Sequence, residues 1–227
     1  MDLKPVAAAR ARNAVRPSWV AIFVKAFAMV ADEFPELRRT YLSHPWPHLY
    51  QYPENAALVM IERQHQGESV VFPFRIRNPG WVPLGQLSET IRTAKTAPVE
   101  DTVDFVRVLR VSALPWPLRR LVWWLGYHFG RLRANYFGTF VLSAYPSEGA
   151  DPLHGIGPVT MLLTYGLIGP DGAITVRAMW DHRVLDGVVI ARALLRLEEV
   201  LNTRILEELL SLKANTGAAN PSSLPGG

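Results

Sequence analysis

The chain has no cysteine in 227 residues, which excludes a disulfide framework, a cysteine nucleophile and a thiolate metal site. No stretch approaches the roughly eighteen consecutive apolar residues of a membrane-spanning helix. Met1-Asp2-Leu3-Lys4-Pro5 lacks the basic-then-apolar pattern of a signal peptide, so the cytoplasm is the expected compartment. There is no internal repeat. Charge of one sign is not concentrated either: the net charge is +4, but the arginines are scattered in pairs such as Arg75/Arg77, Arg107/Arg110, Arg119/Arg120 and Arg131/Arg133. That reads as a mildly basic solvated surface and not as a nucleic-acid interface. With 49% hydrophobic and 19% charged residues the chain can bury one sizeable core. A single domain is expected over 1–213, followed by a Gly/Ala/Asn/Pro/Ser tail over 214–227 expected to be disordered.

What is present is strongly patterned. Apolar residues at 19, 20, 23, 24, 27, 30, 31 and 34 predict a helix with Ser18 as its N-cap and Pro35 as its stop. Ser43-His44-Pro45-Trp46-Pro47-His48 reads as a rigid proline loop, where histidines four apart make no metal face. Residues 57–64 and 69–77 predict paired strands around His65-Gln66-Gly67, with Pro73 pointing to an edge position or a bulge. Leu84, Leu87, Ile91 and Ala94 predict a second helix. Further strands are expected over 136–143, 159–167 and 173–180, the last two joined by the turn residues Gly169-Pro170-Asp171-Gly172. A closing helix after Gly187 is expected to bury Val188, Ala191, Leu194, Leu195, Val200 and Leu201.

The densest chemistry lies in Asp181-His182-Arg183-Val184-Leu185-Asp186-Gly187, between the alternating Ile174, Val176, Ala178, Trp180 and the closing helix. A strand thus delivers one imidazole to a turn. His-x-x-x-Asp-Gly puts a candidate general base where the chain bends, a carboxylate one helical turn on, and a glycine that lets the backbone turn tightly.

Together with two earlier segments, this motif resembles the catalytic domain of the dihydrolipoamide acyltransferases of 2-oxoacid dehydrogenase complexes, in the superfamily that includes chloramphenicol acetyltransferase. The first is the helix Val20-Ala21-Ile22-Phe23-Val24-Lys25-Ala26-Phe27-Ala28-Met29-Val30-Ala31-Asp32-Glu33 with its Phe34-Pro35-Glu36-Leu37 stop; the second is Gly138-Thr139-Phe140-Val141-Leu142-Ser143. The resemblance implies an α+β two-layer sandwich, a mixed sheet with helices on one face. It also implies direct acyl transfer from a coenzyme A or carrier-protein thioester to a small-molecule thiol or hydroxyl, without a bound cofactor or metal. His182 would be the general base and Ser143 the oxyanion donor. Ser143 as a nucleophile is the other chemical option, against which the resemblance argues, since the superfamily forms no covalent intermediate. Asp186 would hold the turn by pairing with Arg183, Arg10, Arg12 or Arg16. Thr139, Tyr145, Trp180 and Trp124 are the expected substrate-binding positions, and some arginines are candidates for coenzyme A phosphates. The family builds its site between subunits, which implies a homotrimer.

This chain also departs from the family. No lipoyl domain or Ala/Pro-rich tether is visible, so a stand-alone enzyme is expected. Ala144-Tyr145-Pro146-Ser147 replaces the family's usual loop after the serine. An enlarged segment spans about 98–135 and holds three of the seven tryptophans, Trp116, Trp123 and Trp124. Leu118, Leu121, Val122, Leu125 and Phe129 form one helical stripe there, which suits a core helix, a membrane-surface contact or the wall of an acyl channel. The competing functions are a non-catalytic trimeric scaffold of the same fold and an acyltransferase core served by a separate lipoyl-domain protein.

Overall fold

The Ser18 hydroxyl accepts the Ala21 amide at 3.1 Å and opens α2 (Trp19–Glu33), which ends where Pro35 can no longer donate. α2 is buried along most of its length and is the axis of the core. Phe23 stacks on Tyr165 at 4.5 Å, and Phe27 meets Phe140 edge-on at 4.8 Å. The computed structural model describes residues 1–144 and 157–217, the last five of these by backbone alone.

The sheet has five strands in the order β4-β3-β5-β6-β7. β3 (Ala56–His65) and β4 (Glu68–Arg77) form the expected hairpin, turning through Gln66 and Gly67 at φ 54° and 84°. Such a two-residue turn needs positive φ at both positions and matches the twist of the strands it joins. Pro73 sits on β4, an edge strand, where its missing N–H costs no interior ladder bond. β5 (Phe140–Leu142) runs parallel to both β3 and β6 (Met161–Tyr165), and β7 (Val176–Trp180) returns antiparallel to β6. The sheet is therefore mixed.

Alternation along the strands divides the sheet into two unequal faces. Ala57, Val59, Ile61, Phe72, Phe140, Leu142, Met161 and Leu163 belong to the main core, with α2, α3 (Leu84–Thr96) and α7 (Gly187–Val200) contributing from one side. Leu58, Val141 and Leu162 form a smaller cluster on the other face. This is the two-layer α+β arrangement with its principal helices on one face. One buried charge ties the helical layer together: Lys25 Nζ donates to Val82 O at 2.7 Å and pairs with Glu208 at 2.8 Å, while Glu208 also accepts the Leu84 amide at 2.6 Å.

Several expectations need correction. The strand expected over 136–143 begins only at Phe140, because α6 (Gly130–Phe137) occupies its first residues. Gly138 ends that helix at φ 70°, and a Cβ there would stand 2.6 Å from Ala56 O, so glycine is required on both counts. The strands expected over 159–167 and 173–180 shorten to β6 and β7. In α7 the buried residues are Ile190, Ala193, Leu197 and Val200, whereas Val188 and Leu195 point outward at 61% and 69% exposure. Apolar residues occur on both sides of this helix, and the face turned to α2 was not set by pattern alone. A π turn, Leu201–Ile205, leads into α8 (Leu206–Gly217).

Three elements gave no clear sequence signal: α1 (Lys4–Ala11) and the two-stranded ribbon of β1 (Arg39–Leu42) and β2 (His48–Gln51), which flanks the proline loop. The enlarged segment folds as α4 (Val103–Ser112), α5 (Trp116–His128) and α6. α5 is a core helix only in part, with Val122, Trp123 and Gly126 turned to a cavity. Its Leu118 and Leu121 are half-exposed, as is Phe129 just beyond it, and Gly126 is its one buried residue.

Candidate active site

β7 ends at Trp180 and the chain turns at once, with Val184 and Leu185 amides donating to Asp181 O at 2.9 and 3.1 Å. The Asp181 carboxylate accepts the Arg183 amide at 3.0 Å and the Arg183 guanidinium at 2.7 Å. Those hydrogen bonds hold the Asp181 carboxyl below the usual range, so it stays ionised. Arg183 in turn stacks over the Tyr41 ring at 4.4 Å. His182 is thereby presented at the surface of a stiff turn, its ring 5.0 Å from Trp180.

Asp186 stands at the N-cap of α7, and its backbone carbonyl accepts the Val189 amide at 3.1 Å. Its side chain is exposed and makes no ion pair among the described residues. Of the arginines offered as partners, Arg183 pairs with Asp181, and Arg10 donates to Pro17 O and lies over the Trp19 ring. Within one chain, Asp181 and Arg183 hold the turn.

Ser143 follows β5 and continues its ladder, its amide donating to Leu163 O at 3.0 Å. It does not meet His182. Leu142 is level with Leu163 and hence with Ala178, while His182 lies past the far end of β7. At about 3.3 Å per strand residue the two sites are on the order of 15 Å apart.

The other expected positions separate. Thr139 is buried and its hydroxyl is committed to Ala56, accepting from the amide at 3.0 Å and donating to the carbonyl at 3.2 Å. Trp180 faces the helical layer, and among the described residues its Nε1 has no partner. Trp124 stacks on His128 at 4.8 Å and meets the His44 ring of the proline loop edge-on at 5.9 Å. Tyr145 lies outside the described residues.

Ser143 instead lines a partly open cavity of about 350 Å³ between the sheet face of Leu58, Val141 and Leu162 and the inner sides of α4, α5 and α6. Trp123, not Trp124, forms its wall, stacked on Phe137 at 5.6 Å. The lining is apolar apart from Ser143 and the linked group Arg75, Asp104, Arg107 and Asn135, in which Asp104 lies 3.9 Å from Arg75 and 3.2 Å from Arg107. Burial lowers the Arg75 guanidinium from its ordinary value. The sequence offered Arg75 and Arg107 only among scattered arginines suited to coenzyme A phosphates and did not bring them together with Asp104 and Asn135. The available signal was Arg75 standing in phase with Leu58 and Met60 across β3 and β4, a charge facing an apolar stripe. Among the described residues no group of three metal-ligating side chains occurs.

No family model and no curated protein matches the sequence. Solved structures do match. A probable dihydrolipoamide acetyltransferase from Listeria monocytogenes is 18% identical, with a TM-score of 0.56 over 99% of this chain and 85% of that one. An Azotobacter vinelandii dihydrolipoamide acetyltransferase, in which a serine, a histidine and an asparagine were investigated for their catalytic role, is 18% identical, with a TM-score of 0.58 over 91% and 80%. A truncated catalytic core of the 2-oxoacid dehydrogenase multienzyme complex from Thermoplasma acidophilum is 14% identical, with a TM-score of 0.58 over 89% and 83%. The mixed sheet, the helical layer and the cavity face are therefore arranged in the fold of the dihydrolipoamide acetyltransferase catalytic core.

Proposed function

We propose that the protein is an acyltransferase that moves an acyl group directly from a coenzyme A or carrier-protein thioester to a small-molecule thiol or hydroxyl. The observation that carries this reading is His182 held exposed on a rigid turn at the sheet end, in a chain with this fold. In the Azotobacter protein the investigated histidine and asparagine are four positions apart, the spacing of His182 and Asp186 here. His182 takes the proton from the acceptor S–H or O–H as that atom attacks the thioester carbonyl carbon. The Ser143 hydroxyl donates to the tetrahedral oxyanion. Collapse then breaks the C–S bond, and the leaving thiolate recovers the proton from the imidazolium.

The separation of Ser143 and His182 within one chain supports a homotrimer in which each site takes the histidine of one protomer and the serine of the next. The multienzyme origin of the Thermoplasma neighbour favours such an assembly.

A separate observation supports contact with an anionic lipid surface. Arg110 and Arg120 are exposed in the stretch between Asp104 and Glu148, which holds no acidic residue, and Trp116, Leu118, Leu121 and Phe129 are exposed there at 50% or more. Among the described residues no helix is long and apolar enough to cross a membrane, so this contact is peripheral. The test of acyl transfer is thiol release from a panel of acyl-CoA thioesters with candidate acceptors. Wild-type protein should release thiol and folded His182→Ala protein should not; equal release from both would refute the reading.

A further inference from the structure

The cavity beside Ser143 does not stand alone. A second cleft of about 260 Å³ adjoins it and shares Arg75 and Asn135 with it. The two differ sharply in character. The first is walled by Leu58, Met60, Val108, Trp123, Phe137 and Val141. The second gathers Arg75, Arg77 and Arg131 against one carboxylate, Glu54, with Tyr50 and Tyr52 alongside.

We infer that the two together bind an anionic amphiphile, its hydrocarbon chain in the cavity and its phosphate or carboxylate head in the arginine cleft. The apolar chamber is of the size that takes a small ligand, and it offers a chain few polar partners. The junction is built from side chains that already hold one another: Asn135 Oδ1 accepts from Arg75 at 3.1 Å and from Arg77 at 3.2 Å. Asp104 answers charge on the chamber side, bridging Arg75 and Arg107, which leaves Arg77 and Arg131 to an incoming anion. Arg131 has no ion pair among the described residues, and guanidinium groups converging on one cleft suit phosphate or carboxylate oxygens. An anionic head would also offset the cost of burying the Arg75 charge.

This inference goes beyond acyl transfer and does not need it. A binding measurement without turnover tests it even if the chain transfers nothing. Trp123 in the cavity wall provides a fluorescence signal, and the probes are alkyl phosphates, alkyl carboxylates and neutral alkyl alcohols from butyl to decyl. Affinity should rise about threefold to fourfold per added methylene until the chamber is full, and decyl phosphate should bind at least about tenfold more tightly than decanol. Comparing decyl phosphate with decyl-CoA thioether separates a simple lipid head from a coenzyme A donor, since both satisfy the same chemistry.

Gly126→Leu should abolish the chain-length dependence. A Cβ at Gly126 stands 3.6 Å from the Phe137 and Tyr136 rings, so a side chain enters the cavity without backbone collision. Arg77→Ala with Arg131→Ala should weaken phosphate and carboxylate binding while leaving decanol unchanged. Should Gly126→Leu fail to fold, Val108→Trp fills the same chamber from α4. Equal affinity for short and long chains, equal affinity for phosphate and alcohol, or indifference to the filling variants would overturn the inference.

Discussion

Ser143 and His182 leave the sheet at opposite ends, because β5 and β6 run in one direction and β7, which carries the histidine, runs in the other. No side-chain motion closes a gap on the order of 15 Å along the strands. A site that uses both residues therefore needs two chains. His182→Ala should lower turnover at least ~10²-fold, and Ser143→Ala should lower it by roughly 10²-fold or less and leave no acyl adduct for mass spectrometry to find. Mixing the two impaired variants and reassembling them should raise activity above that of either alone through sites with both wild-type residues. Proven subunit exchange without recovery, or a monomer in light scattering, would remove the shared-site mechanism.

The Lys25–Glu208 pair makes a prediction about stability. Glu208→Ala leaves a buried ammonium with one carbonyl partner and strips the Leu84 amide of its acceptor. The loss should be about 3 kcal/mol, at the low end for breaking a buried pair, because Glu208 keeps some contact with water. Urea unfolding of the single variants and of Lys25→Met/Glu208→Leu measures it. The double variant should recover most of the stability, since it removes both charges.

Alkaline pH should unfold the chain through its buried phenols. Burial pushes Tyr52 from 10.0 up to about 12, and Tyr165, stacked on Phe23, is raised as well. Each group favours its neutral form in the folded state. Their contribution is thus fully present below pH 10, the ordinary value, and declines as pH rises from there toward the folded-state values. Tyrosinate absorbance should appear in step with loss of the far-ultraviolet helix signal, and Tyr52→Phe should shift that loss to higher pH. Ionisation of these tyrosines in a still-folded protein would contradict the burial argument.

Vesicle sedimentation tests the outer face of α5. Binding to phosphatidylserine-containing vesicles should exceed binding to phosphatidylcholine alone, and should weaken with added salt as the arginine attraction is screened. Trp116→Ala with Leu121→Ala should reduce it several-fold without changing the melting temperature. No binding to either vesicle, or a large drop in melting temperature, would favour a packing role for this face.

Much of the frame was legible because its signals are local. Ser18 and Pro35 bracket one helix, Gln66-Gly67 needs only the hairpin turn, and the Asp181-to-Gly187 segment carries its chemistry in consecutive residues. The site was less legible because its geometry is set by distant partners. Thr139 looked available until Ala56, far upstream, claimed its hydroxyl. Trp123 and Trp124 are adjacent, chemically alike and equally exposed, and only the packing of α5 decides that Trp123 meets Phe137 and the cavity while Trp124 meets the proline loop. The cluster at Arg75 joins β4, α4 and α6, and no window of neighbouring residues contains it. For the same reason α7 offered two apolar sides, and contact with α2 chose one.

The short central strand β5 has a further consequence. The β3–β4 hairpin joins neighbours in sequence, while the parallel β3–β5 pairing must first gather α3 through α6 into the connection between them. Closing so long a loop loses chain entropy before any contact returns it. The hairpin therefore closes the shorter loop, and β3 takes β5 along Ala57, Leu58 and Val59 only across the longer one. β5 alone joins the β3–β4 pair to the β6–β7 pair, so the strand that leads into Ser143 is also the one that makes the two pairs a single sheet.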